Sequence, residues 1–499
     1  LTLIFYFSSF NIRVIISMDN KQHYLDIAAG QGKKEPSRIV AFPAQPLNYA
    51  LIEQRLEEQT EYTDGEISYL SDDLDEGFFY HCQHGDDELH FFICLLPRSE
   101  DYQIRPMYAT DEMTPELLAH ANATTQDILL ETMFSDTLHP LASYRHQLNL
   151  LNIIAPEMIL ALDESAAGKG LTPEWIRFQL ETPDLYPEVE SLYVIHAVYD
   201  TENDPPTMFW FHTHGLQRCG LTEVDLVIPS MLESYYGIPD LFRCFVNNSI
   251  NNRQIEFGEP MLCGQTSSGL EYLVALPFEE GIRHVNQSTP LDSLRPLEEM
   301  RYNTQGAPHG VFLGDMADRD EYHQHPSSML FRTNEENPIL ETFFKGYEEQ
   351  QAMMLLRSNE ETYEMAEKAK RRWQYFLSMF DNYHQPPVEK KTGFLAKLLG
   401  SKESNEETES PWQFMIKFGI PYGDKEEKEL EHMWFIPQSR EGDRIYAKLL
   451  NVPFYVQEME EGGIYPIDIA FITDWVISYE GYSYTPNTIY QLFSHQQTH

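Results

Sequence analysis

At 499 residues the chain exceeds one typical domain, so about two or three cores are expected. With 42% hydrophobic and 13% aromatic residues it is too apolar to be disordered over most of its length. Its 79 acids against 35 bases leave a formal net charge of −44. That charge repels phosphate backbones and anionic headgroups, which argues against nucleic acid and favours plain solubility or a basic protein partner.

In chain order, residues 1–17 ("LTLIFYFSSFNIRVIIS") are apolar but carry Arg13 and lack a basic flank and a small-residue cleavage site. They also fall short of the roughly 20 apolar residues of a membrane span, and no later stretch reaches that length. "MDNKQHYLDIAAG", from Met18, reads as an ordinary cytosolic start, so 1–17 is expected to be a non-native or disordered leader, with a crude membrane anchor as the alternative. A first α+β unit (18–140) follows: a strand in "RIVAFP", a helix in "LNYALIEQRLEEQ", a strand in "GEISYLSDD", and a hairpin in "EGFFYHCQHGDDELHFFICLLP" around its Gly-Asp turn. Helical periodicity is read in both "TPELLAHANATTQDILLETMF" and "PLASYRHQLNLLNIIA".

A second α+β unit (141–333) opens with a buried strand in "EMILALDES" and a helix in "LTPEWIRFQLE", capped by Thr172 with Pro173 in its first turn. "SLYVIHAVYD" and "TMFWFHTHG" read as neighbouring strands, "SMLESYYGIPDLFRCFVNNSI" as a helix broken near Gly237 and Pro239, and "EYLVALPFEEG" as a strand. Residues 334–385 read as one or two long amphipathic helices, and 386–410 as a flexible linker of Lys, Ser, Asn and Glu. Within 411–499, five short strands, "WQFMIKFGI", "EHMWFIP", "RIYAKLL", "IYPIDI" and "DWVISYE", make a small β-rich module. The fold class is therefore α+β, with mixed or antiparallel sheets covered by helices.

Five cysteines with no CxxC spacing argue against a disulfide framework or a zinc ribbon and fit free thiols in a reducing cytoplasm. Chemistry concentrates in "FWFHTHGLQRCG" (209–220). Alternation on a strand puts Trp210, His212 and His214 on one face and Phe209, Phe211 and Thr213 on the other. Two imidazoles at i and i+2 can share a metal such as zinc, with Glu223, Asp225, Cys219 or His196 as third ligand. The competing reading, which the residues favour, is that both histidines bond locally and fix the turn at Gly215. A thiol nucleophile at Cys219, lowered by Arg218 and served by His214, is the other enzymatic option. "DESAAGKGLT" lacks the first glycine and the Ser/Thr of a phosphate loop. "HCQHGDD" reads as a hairpin turn, and Asp315, Asp318, Asp320 and "YHQH" as a solvated loop. In the C-terminal module His432 and Trp434 share a strand face, with Asp474 and Trp475 beside them, as a binding face or as core.

Two resemblances bear on these residues. Glu431, His432, Trp434, Asn451, Pro453, Asp474 and Trp475 match the pattern of the bacterial family called domain of unknown function 2314; "GGIYPID" departs from its usual Gly-Asp-x-Val segment. His212, Thr213, His214, Gly215, Leu216, Gly220, Leu221 and Glu223 resemble the signature of domain of unknown function 4026. Both families are uncharacterised, and the resemblance implies no activity. The sequence favours a cytoplasmic bacterial protein, immunity- or adaptor-like, that binds a protein partner through His212, His214, Glu223, His432, Trp434, Asp474 or Trp475, without catalysis or cofactor. The alternative is a zinc-dependent hydrolase on His212, His214 and Glu223, or a cysteine enzyme at Cys219. Oligomeric state is not legible.

Overall fold

The computed structural model describes residues 34–70, 77–99, 102–199, 208–229, 238–266, 269–277, 327–333, 354–355, 359–384, 411–423 and 429–497. The chain divides into two compact units, Leu1–Arg357 and Ser358–His499. The expected leader (1–17), the linker (386–410) and the Asp315–His325 loop lie outside the described residues. Among the described residues, no helix is long and apolar enough to cross a membrane.

The first unit begins with β1 (Ser37–Pro43), α1 (Tyr49–Glu58), β2 (Thr63–Tyr69), β3 (Phe78–His84) and β4 (Asp87–Pro97). Then come α2 (Pro115–Asn122), β5 (Gln126–Thr132), α3 (Pro140–Ile154), β6 (Met158–Asp163), β7 (Lys169–Leu171) and α4 (Pro173–Leu180). The seven strands form one antiparallel sheet in the order β2-β3-β4-β5-β1-β6-β7. Local signals set the helix starts: Asn48, Thr114 and Thr172 each accept a backbone N–H from the first turn. Alternation along β1 sends Val40 and Phe42 to the face covered by α2, where they pack with Leu129, Leu160 and Ala121. Ser37 points the other way, and its hydroxyl donates to Gln147 of α3 at 2.7 Å. Helices thus cover both faces of this sheet.

One expectation fails here. The stretch 114–134 is not one helix: it is α2, a break at Ala123–Thr125, and β5 in the middle of the sheet. Six of the seven β5 residues, Asp127 to Thr132, are buried. A strand buried on both faces carries no alternation, and with only Ile128–Leu130 apolar in β5 its short run is indistinguishable from a continuing helix.

A second sheet contains β8 (Val194–Tyr199), β9 (Met208–His214), β10 (Glu223–Pro229), β11 (Met261–Thr266), β12 (Gly269–Pro277), β13 (Ser327–Thr333) and β14 (Met354–Leu355). Its order is β14-β11-β12-β13-β10-β9-β8, with β10 and β13 parallel and the other pairs antiparallel. Helix α5 (Ile238–Asn252) packs against β11. Of this sheet the sequence reading names β8, β9 and β12 but not β10, β11, β13 or β14.

The second unit contains α6 (Asn359–Arg371) and α7 (Trp373–Tyr383), followed by β15 (Trp412–Tyr422), β16 (Glu429–Glu441), β17 (Arg444–Leu449), β18 (Ile464–Asp468), β19 (Ile472–Tyr479), β20 (Tyr482–Tyr484) and α8 (Ile489–Gln497). The sheet order is β18-β17-β16-β15-β19-β20, all antiparallel. Helix α6 lies against β19, so these helices share a core with the sheet rather than standing apart from it.

Candidate functional site

The pairing of β8 with β9 sets His196 directly opposite His212 and Val194 opposite His214. Since i and i+2 share a face, three imidazoles converge on one side of two adjacent strands. One ring nitrogen from each of His196, His212 and His214 lies within 4.8 Å of the others. His212 Nε2 and His214 Nε2 are 3.0 Å apart, so in the absence of an ion one donates and the other accepts. His212 is buried, while His196 and His214 are half-buried. Behind them Trp210 lies against the His212 ring, 4.3 Å between centroids, and donates its indole N–H to Asp225 Oδ1 at 2.7 Å. Asp225 stands opposite His212 in the β9–β10 register, and its second oxygen accepts the Ser327 hydroxyl. The Tyr108 ring meets His196 edge-on at 6.1 Å.

Glu223 does not join this group. Its carboxylate takes the Thr213 hydroxyl at 2.6 Å and the backbone N–H groups of Gly215 and Leu216 at 2.9 and 3.0 Å. It therefore fixes the turn, the role the sequence reading gave to the histidines, and His196 is the third member of the histidine cluster. Gly215 is required there: it has φ +122°, and a Cβ would lie 2.3 Å from Leu192 O.

The next residues leave the site altogether. Arg218 is fully buried and donates through Nη1 to both oxygens of Asp163 at 2.9 Å and to Ser37 Oγ at 3.1 Å, and through Nε to Leu192 O at 3.2 Å. It joins the two sheets of the first unit. Asp163 is the first residue of the phosphate-loop-like "DESAAGKG", and Lys169 of that stretch donates to Glu190 O at 3.1 Å. Cys219 is buried, and burial pushes its thiol up to about 12 despite the opposing Arg218 charge. A raised thiol in a buried setting disfavours the thiolate on which a cysteine enzyme depends. All five cysteines are buried and free. In the native protein at pH 8, Cys219 is expected to resist alkylation and to react only on unfolding; labelling of Cys219 by mass spectrometry at a rate near that of free cysteine would contradict this.

His81 and His90 form a cross-strand pair beside the β3–β4 turn, so "HCQHGDD" is a hairpin, as its residues suggest.

In the second unit the family-like residues divide between two roles. Trp475 is fully buried and donates its indole N–H to Ala369 O of α6 at 3.0 Å, which makes it core and withdraws it from any binding face. His432, Trp434 and Asp474 come together on the open face of β16, β15 and β19. There Lys417 stands opposite both Trp434 and Asp474 and covers the indole at 5.5 Å. His432 Nδ1 lies 3.1 Å from Thr473 Oγ1, and burial, with Lys417 second, lowers its pKa. Gly419 leaves room for that ring, since a Cβ there would sit 3.2 Å from His432 Cε1.

Glu431 and Asn451 have a task the sequence did not reveal. The Glu431 carboxylate accepts the backbone N–H groups of Phe454, Tyr455 and Val456 at 2.6, 2.9 and 2.9 Å, and Asn451 Oδ1 accepts Trp434 N–H at 2.6 Å. Together they pin the loop "NVPFYV", which presents Val452, Phe454 and Tyr455 to solvent at 67%, 67% and 51% exposure. Tyr422 stacks on Tyr455 at 4.6 Å and 8°. In sequence the trace of this loop is the Phe454-Tyr455 pair after Pro453, which reads equally well as core.

Three family models match the chain: "Protein of unknown function (DUF4026) N-terminal" over 37–187, its C-terminal counterpart over 195–331, and "Uncharacterized protein conserved in bacteria (DUF2314)" over 403–498. No curated protein and no solved structure matches significantly.

Proposed function

We propose that this chain, which joins both parts of the DUF4026 protein to a DUF2314 domain, is a cytoplasmic, immunity- or adaptor-like protein that works by binding a basic protein partner. The observation that carries the reading is the loop 451–456. Apolar side chains cluster on it in solvent, although folded surfaces ordinarily scatter them singly. Charge-assisted bonds to Glu431 hold its backbone, so little ordering entropy is lost when a partner arrives. Exposed Glu429, Glu458, Glu460 and Glu461 are close in sequence to the strand and loop and, with the net charge of −44, favour encounter with a basic surface.

The test compares full-length protein with its Phe454→Ser/Tyr455→Ser variant in capture from bacterial lysate at low and high salt. Truncation after His384 is unsuitable, because it separates α6 and α7 from the sheet they pack on. A specific partner is expected whose retention falls with salt and drops by about 30-fold or more in the variant, the loss of a hot-spot pair. Capture that is equal for both proteins, or no enriched partner, would reject this reading.

A further inference from the structure

We infer that His196, His212 and His214 form a binding site for a divalent transition metal of the zinc class, a property independent of the partner-binding reading. The three residues come from strands, not from a loop, and their register fixes the convergence of their rings. A zinc ion bound at about 2.0–2.1 Å in tetrahedral geometry sets its ligand nitrogens about 3.3 Å apart. His212 and His214 already stand at 3.0 Å, and all three donor atoms fit within 4.8 Å, so modest side-chain rotation closes the set.

The surroundings suit a cation and hold the rings in place. Trp210 backs His212 and is itself fixed by Asp225, which is fixed by Ser327. The buried Asp225 carboxylate, on the same side of the sheet as His212, opposes the positive charge of an ion there. Imidazole nitrogen selects zinc, copper or nickel over magnesium and calcium, which require oxygen. Among the described residues no fourth donor joins the group. Three protein ligands and one position for water or an outside donor is the arrangement of reactive rather than closed zinc sites. The half-buried edges of His196 and His214, on and beside the edge strand β8, give an ion a path in.

The experiment uses the full chain, stripped with chelator and titrated with Zn2+, and with Co2+ as a visible reporter. About one equivalent of zinc is expected, with cobalt giving the intense d–d absorption of a four-coordinate nitrogen site. His196→Gln, His212→Gln and His214→Gln, which keep a hydrogen-bonding side chain, should each weaken zinc binding by more than about 100-fold, exceeding the loss seen when only an outer partner of a metal ligand is changed. The control variant His81→Gln/His90→Gln, which alters the other histidine pair, should bind as the unaltered chain does. The cobalt spectrum of the unaltered protein needs no variant to fold. A purely octahedral, weakly absorbing spectrum, or zinc affinity unchanged in all three variants, would overturn the assignment.

Discussion

Replacing Arg218 with alanine is expected to destabilise the first unit by about 3–5 kcal/mol, the cost of stranding one member of a buried ion pair. Arg218 and Asp163 are both 0% exposed at their side chains. The guanidinium is held by Asp163, Ser37 and Leu192 O, and lies over the Tyr144 ring at 4.8 Å. Tyr144 donates its hydroxyl to Asp163 at 3.0 Å; burial and that carboxylate hold the phenol neutral well above its usual range. Removing the guanidinium leaves a dry carboxylate with only neutral donors. Arg218→Lys is not conservative here, because one ammonium cannot reach Asp163, Ser37 and Leu192 together. The midpoint of urea unfolding at constant slope measures the loss. Adding Asp163→Asn to Arg218→Ala should recover part of it by removing the stranded charge, a coupling that a double-mutant cycle resolves. A loss below about 1 kcal/mol, or no recovery in the double variant, would mean the pair is a passenger in an otherwise packed seam.

Part of this arrangement is legible in the sequence. Alternation in "MFWFHTH" places Trp210, His212 and His214 on one face without any structure, because the period of a strand is fixed by its backbone. His196 is named by the same reading, but only as one of four candidates. Choosing it requires the β8–β9 register, which depends on a turn whose length the sequence does not state. The place of Glu223 is hidden for a different reason: its side chain serves the N–H groups of the turn, and such a contact leaves no periodic trace. Of the helical signal over 334–385, the described residues show α6 and α7 across 359–383 but a short strand, β14, at Met354–Leu355. What the helices pack on is invisible in sequence, since amphipathicity announces a buried face and not its partner. The loop 451–456 is missed because its exposed aromatics look, in sequence, like the core residues around them.

The partner of those helices leads to the second large effect. A fragment starting at residue 403, where the DUF2314 match begins, is expected to lack a cooperative unfolding transition, whereas one starting at Ser358 should have it. Helix α7 places Phe376 5.7 Å from Phe414 and 5.5 Å from Trp475, and Phe380 5.4 Å from Phe414. Tyr383 stacks on Trp412 at 4.4 Å, and buried Arg372 donates to Pro486 O at 2.8 Å. Without α6 and α7 the indole N–H of Trp475 loses Ala369 O, and the apolar face of β15 and β19 opens to water. A face of that kind is a site of aggregation. The substitution Trp475→Ala in the longer fragment isolates the central contact and should cost about 3–5 kcal/mol, the range for deleting a large buried aromatic. Urea titration followed by far-UV circular dichroism reads both effects, with dye binding as the signature of exposed apolar surface in the shorter fragment. If the shorter fragment unfolds cooperatively at the midpoint of the longer one, α6 and α7 contribute nothing to the stability of this core, and Trp475 must owe its burial to the sheet alone.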